Sequence, residues 1–174
     1  MQRYPGRATV AQLILAAAVL IVAGWFIYDR FFKTDEARIR ELIQSAADGA
    51  RERRPSGITR TLADDFRGPE EVDKDLVHGW CVSVLVAQYK VVEPTLTPQP
   101  LEVKFIDPKN ATVDLRAGLR AKVDEAASWD ELPRRYGKAA GVPLRLTLNK
   151  GDDGWKIKAL EVLPETDGNA GAKP

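Results

Sequence analysis

One cysteine, one histidine and one methionine are all the chain holds of those residues, and the first two scarcities each remove a class of function. Cys81 alone permits no internal disulfide and no multi-cysteine metal site. It lies in an apolar stretch, which makes it a small core residue rather than a reactive thiol. His78, with no second histidine or cysteine pair, offers no zinc site and reads as a partly exposed helix residue. No metal and no cofactor is expected. Lysine and arginine number 26 against 25 aspartates and glutamates, so the basic excess that holds nucleic acid is missing. No phosphate-binding loop or nucleophile elbow is present either.

What the chain has in plenty is apolar residues in one place. Residues 10–28, VAQLILAAAVLIVAGWFIY, are interrupted only by Gln12 near one end. A helix of that length rises about 28 Å, the thickness of a bilayer's hydrocarbon core. It has no polar side of the kind a buried helix of a soluble protein usually keeps. Trp25 and Tyr28 stand where amphipathic rings favour the interface. A cleavable signal would end in small residues, whereas this run ends in WFIYDRFF. A retained single-pass anchor in the cell membrane is therefore expected. Counting Arg3 and Arg7 before the run against Arg30, Lys33, Arg38 and Arg40 after it favours a C-terminal side kept inside. With Arg38 and Arg40 assigned to a folded helix, the signal-anchor arrangement is expected instead: the basic tail, residues 1–9, stays put and the larger domain lies outside the cytoplasm.

Residues 29–34 form a juxtamembrane connection, residues 35–163 a single domain, and residues 164–174, PETDGNAGAKP, a polar tail without periodicity that is expected to be disordered. Thr34 followed by Asp35 and Glu36 predicts a helix start. Ile39, Leu42, Ile43, Ala46, Ala47 and Ala50 then mark one apolar stripe. The arginines of ARERR, residues 50–54, suit the helix's last turn better than a lipid contact, and Pro55 and Gly57 stop it. A short second helix is expected over residues 58–63, with ADDFRGP as its exit. A third is expected between Glu70 and Tyr89; a strand through WCVSVLVAQY competes, because Val82, Val84 and Val86 are β-branched, but length and the acidic start favour helix. After Lys90 alternation replaces the three-four rhythm. Strands are expected over residues 91–96, 101–106, 111–123 and 144–148, with a turn at DPKN, a hairpin at GDDG and a return strand from Trp155 to Val162.

Three helices followed by a meandering antiparallel sheet, with the LADDFRG segment and the terminal LTLNKGDDGWKIKALEV hairpin, resemble the nuclear transport factor 2-like superfamily, to which ketosteroid isomerases and polyketide cyclases also belong. The resemblance implies an α+β cone: a curved antiparallel sheet wrapped around the long first helix, a pocket at the open end, and homodimerisation through the sheet's outer face. It does not imply catalysis, since the superfamily holds many non-enzymes. Isomerase-like members place a general-base aspartate several residues beyond an ADD element. Here Ala63, Asp64 and Asp65 match ADD, but Phe66, Arg67, Gly68 and Pro69 follow, and no aspartate stands at the expected place.

The residues first expected at a ligand cavity are the large rings Trp80, Tyr89, Trp129 and Tyr136, although such rings in a small domain are more often core. The sequence reads as a membrane-anchored, non-catalytic binding or assembly domain that holds a protein partner or a small apolar ligand beside the bilayer. The alternative is an isomerase, dehydratase or cyclase using Asp65, His78 or Tyr89 in an altered arrangement.

Overall fold

In a computed structural model of the chain, residues 14, 15, 34–132 and 141–164 are described. The chain divides into two units, Met1–Arg38 and Ile39–Pro174. In the first, Ile14 and Leu15 are helical and exposed. Apart from those two residues, the expected membrane span lies outside the described residues, and among these no helix is long and apolar enough to cross a membrane.

Helix α1 (Asp35–Arg51) begins as its sequence predicts. The Ala37 amide donates to Thr34 Oγ1 at 3.2 Å, and the acids Asp35 and Glu36 occupy the positive end of the helix dipole. Within the second unit its stripe of Ile39, Ile43, Ala47 and Ala50 is buried. Past its end, the Arg53 guanidinium donates to the Tyr89 carbonyl at 2.7 Å, Arg51 pairs with Asp48, and Arg54 pairs with Glu52. The arginine cluster thus ties off the helix, as read from the sequence. Helix α2 (Pro55–Thr59) crosses so close that a Cβ built on Gly49 would lie 2.8 Å from the carbonyl carbon of Gly57. Only glycine permits that approach.

The next segment differs from expectation. LADDFR is not the exit of a helix but strand β1 (Leu62–Arg67), which runs parallel to the last strand, pairing Leu62 with Ile157 and Arg67 with Ala159. The two buried residues, Leu62 and Phe66, are four apart, a spacing that fits one face of a helix and one face of a strand alike. The sheet is accordingly mixed, not purely antiparallel. A 3-10 turn (Pro69–Glu71) holds the first two acids that were expected to open the third helix. Helix α3 (Lys74–Trp80) starts later, capped by Asp73, whose carboxylate accepts from the Leu76 amide at 2.8 Å. It continues as a wider π-helical segment (Cys81–Val86), so the valine-rich run is helical rather than a strand.

The remaining strands are β2 (Val91–Thr97), β3 (Val103–Asp107), β4 (Asn110–Lys122), β5 (Asp130–Leu132), β6 (Val142–Gly151) and β7 (Gly154–Val162). Their path is β1-β7-β6-β4-β2, with β3 and β5 also paired to β4. Long β4 is the organiser: β3 and β2 share one of its edges, β6 and β5 the other. Strand β5 falls between the strands expected over residues 111–123 and 144–148, where the sequence suggested no element. The GDDG hairpin closes at the Gly151–Gly154 pair, Gly154 taking a φ of 99° that a side chain would resist.

Two apolar clusters fill the space inside the sheet. The larger joins Ile39 and Ile43 of α1 to Leu62, Phe66, Val113, Leu115, Leu146, Leu148, Trp155 and Ile157. The smaller joins Ala50, Cys81, Leu85, Tyr89, Val92 and Ala121. Burial pushes the Cys81 thiol up to about 11, so it is protonated and inert at neutral pH, the core role its sequence context predicts.

Candidate functional site

Alternation along a strand sends every second side chain to the same face. On β4 the inward series is Ala111, Val113, Leu115, Ala117, Leu119 and Ala121; on β6 it includes Leu144, Leu146 and Leu148. Small Ala117 on β4 leaves space inside the sheet, and the stripe of α1 is itself shallow because Ala46 and Ala47 carry it. The result is a cavity of about 430 Å³, within the range of small-molecule sites.

Its floor is formed by buried Ile43, Leu62, Phe66, Leu115, Leu146 and Ile157. Toward its mouth stand Trp80 of α3, 40% exposed, and Val162 at the end of β7, 38% exposed. Pro94 and Leu96 of β2 and Val77 of α3 complete the sides. Among the described residues no ionisable side chain lines it. Among the described residues the one hydroxyl in the wall belongs to Thr61, 2% exposed, and it already donates to the Ile58 carbonyl at 2.6 Å. The Thr61 carbonyl in turn accepts from the Ile157 amide at 2.9 Å. With the Thr61 hydroxyl engaged in the fold, the described part of this wall offers an apolar ligand carbon surface.

The sequence-derived residues are distributed as follows. Trp80 lines the cavity. Tyr89 does not; it is buried in the smaller cluster, with its hydroxyl 3.4 Å from Asp130 Oδ2. Trp129 lies over β4, its ring 4.8 Å from the Arg120 guanidinium and 4.7 Å from the Lys122 ammonium, a cation-π stack beside the sheet. Tyr136 lies outside the described residues. Asp65 is exposed and pairs with Lys158 at 3.3 Å, beside a polar cleft that also includes Asp64, Lys74, Asp152 and Asp153. In that cleft Lys74 donates to Asp64 at 2.8 Å and holds its carboxyl below the usual carboxylate range. His78 is exposed on α3 and lines none of these cavities. Asp65, His78 and Tyr89 therefore do not come together in one site. Among the described residues no group of histidine, cysteine and carboxylate is arranged to hold a metal.

The aliphatic wall itself escaped the sequence reading, which placed Leu115, Leu119, Leu144 and Leu146 on alternating strands and in no cavity. Their only signal is alternation, which marks an inward face without saying whether that face is filled.

The opposite face of the same sheet is polar. Asp114 accepts from both Nε and Nη2 of Arg145, at 2.7 and 2.9 Å, and Arg120 pairs with Glu93 at 2.7 Å. The Arg145 guanidinium holds the Asp114 carboxyl below its ordinary value, and the carboxylate raises Arg145 in return.

No protein-family profile and no curated protein matches the chain. Solved structures do. A nuclear transport factor 2-like protein with a cystatin-like fold from Novosphingobium aromaticivorans is 15% identical over 90% of each chain, with a TM-score of 0.54. A nuclear transport factor 2-like superfamily protein from Salmonella enterica serovar Typhimurium is 12% identical over 79% of this chain and 97% of that one, with a TM-score of 0.55. A candidate scytalone dehydratase from N. aromaticivorans is 12% identical, covering 77% of this chain and 87% of its own, also with a TM-score of 0.55. At such identities the likeness is one of fold: the α+β architecture with a curved sheet, expected from the sequence as antiparallel and found to be mixed, is that of nuclear transport factor 2-like proteins.

Proposed function

We propose that the chain is a membrane-tethered, non-catalytic binding domain whose cavity takes a small apolar ligand beside the bilayer. The observation that carries this reading is the wall of the cavity, about 430 Å³ of space lined by aliphatic and aromatic carbon with no ionisable side chain among the described residues. Burial of apolar surface is then the source of affinity. The tether rests on residues 10–28, an apolar run long enough to span. The single-pass topology, with the domain outside the cytoplasm, follows from that run and from the short basic tail before it.

An isomerase, dehydratase or cyclase of the same superfamily is the weaker reading. The N. aromaticivorans neighbour bears a dehydratase name. In this chain the side chains available for that chemistry, Asp65, His78 and Tyr89, stand in three separate places, none of them on the cavity wall. A protein partner or a homodimer through the outer sheet face remains compatible with the binding reading, and the ion pairs on that face make such contacts polar ones.

Extraction of the full chain from membranes in mild detergent, followed by native mass spectrometry, tests the proposal. The expected result is a chain that needs detergent to leave the membrane and retains an apolar molecule, one that rebinds unchanged after removal. A chain that disperses freely without detergent defeats the tether. Chemical conversion of the molecule defeats the non-catalytic reading.

A further inference from the structure

We infer that the ligand is a one-ended amphiphile, an acyl-chain molecule that enters tail first and leaves its polar head at the mouth; the inference rests on the binding reading above. The lining of the cavity divides into buried and partly exposed residues. At the floor, Ile43, Phe66, Leu115 and Leu146 are all at most 5% exposed and carry no polar side-chain atom. Among the described residues Thr61 supplies the one hydroxyl of the wall, and its proton is already given to the Ile58 carbonyl. A polar atom carried down to the floor gives up its water and meets no side-chain donor or acceptor, which burial does not forgive. A terminal methyl meets only carbon. Trp80 and Val162 of the same lining are partly in solvent, so a carboxylate or ester head placed beside them keeps its hydration. A rigid ligand with polar atoms at both ends satisfies neither demand.

The test uses the full-length chain in lipid nanodiscs. Laurate carrying a diazirine at its methyl end is photolysed with the protein and the labelled peptides are mapped, with plain laurate and ω-hydroxylaurate as competitors. Label on β4 and β6 around Leu115 and Leu146 is expected, with ω-hydroxylaurate competing about ten-fold less well than laurate, equivalent to ~1.4 kcal/mol. Label confined to the neighbourhood of Trp80 and Val162, or equal competition by the two acids, overturns the tail-first inference while the binding reading stands. Absence of label from every cavity residue overturns the binding reading itself.

Discussion

Along β4, Ala111, Val113, Leu115 and Ala121 look inward and are buried, whereas Asp114 and Arg120 look outward and end in ion pairs with Arg145 and Glu93. A shift of one residue thus separates a face of carbon from a face of paired charges. The faces also differ in what they contribute. Inward residues hold the domain together and shape the cavity, while exposed ion pairs of the outward kind add little to stability. The contrast bears on function as well: among the described residues, the Asp114–Arg145 and Arg120–Glu93 pairs lie on the outer face and Asp64, Asp65 and Lys74 line the polar cleft, while none of these charges lines the cavity.

The contrast is sharpest between neighbours. Leu148→Ala removes a fully buried side chain and is expected to cost about 2–5 kcal/mol in denaturant unfolding, while Thr147→Ala, one position away on the other face, is expected to stay within about 0.5 kcal/mol. Comparable losses at the two positions break the two-face description. A smaller effect is expected where the helix layer closes over the inward face. Gly49→Ala drives a methyl group into the backbone of Gly57 and is expected to cost about 1–3 kcal/mol by the same measurement, with the helical signal in circular dichroism preserved.

The outward face gives the smallest effect. A double-mutant cycle on Asp114→Asn and Arg145→Gln is expected to return a coupling smaller than either of the losses above, because the pair is exposed to solvent. Its pH dependence has a definite sign. Arg145 lowers the folded-state pKa of Asp114, so the pair's contribution is fully present above the unfolded carboxylate value, about 3.9, and is lost as pH falls through the depressed folded value. Acid titration of the wild type against Asp114→Asn checks this, and a coupling that instead grows toward acid contradicts the assignment.

Much of this was legible in the sequence, and what was not has physical causes. Thr34, Asp35 and Glu36 announced the start of α1, its apolar stripe announced the buried side, and the long alternation from Ala111 announced β4 as a strand with one face inside. Leu62 and Phe66 misled because a separation of four suits both periods, and only parallel pairing with β7, almost a hundred residues on, decides for the strand. Strand β5 has three residues, too few for any pattern to emerge. The cavity was hidden more deeply. Whether inward-facing leucines close on one another or stand apart depends on the width that Ala46, Ala47 and Ala117 leave between elements, a property of their assembly and not of any one segment. The rings that drew attention as cavity residues divided for a related reason. Trp80 reached the mouth, whereas Tyr89 was taken into the second cluster and Trp129 settled over Arg120 and Lys122.

Filling the cavity tests the central claim most directly. Ala117 sits on its wall beside Leu96 and Val142, and Ala117→Trp places a ring in the empty volume. Equilibrium binding of laurate to the full-length wild type and to this variant, with circular dichroism confirming a retained fold, is the decisive comparison. The expected result is a loss of affinity of about ten-fold or more, equivalent to at least ~1.4 kcal/mol. Equal affinity in a folded variant means that the cavity is not where the ligand goes.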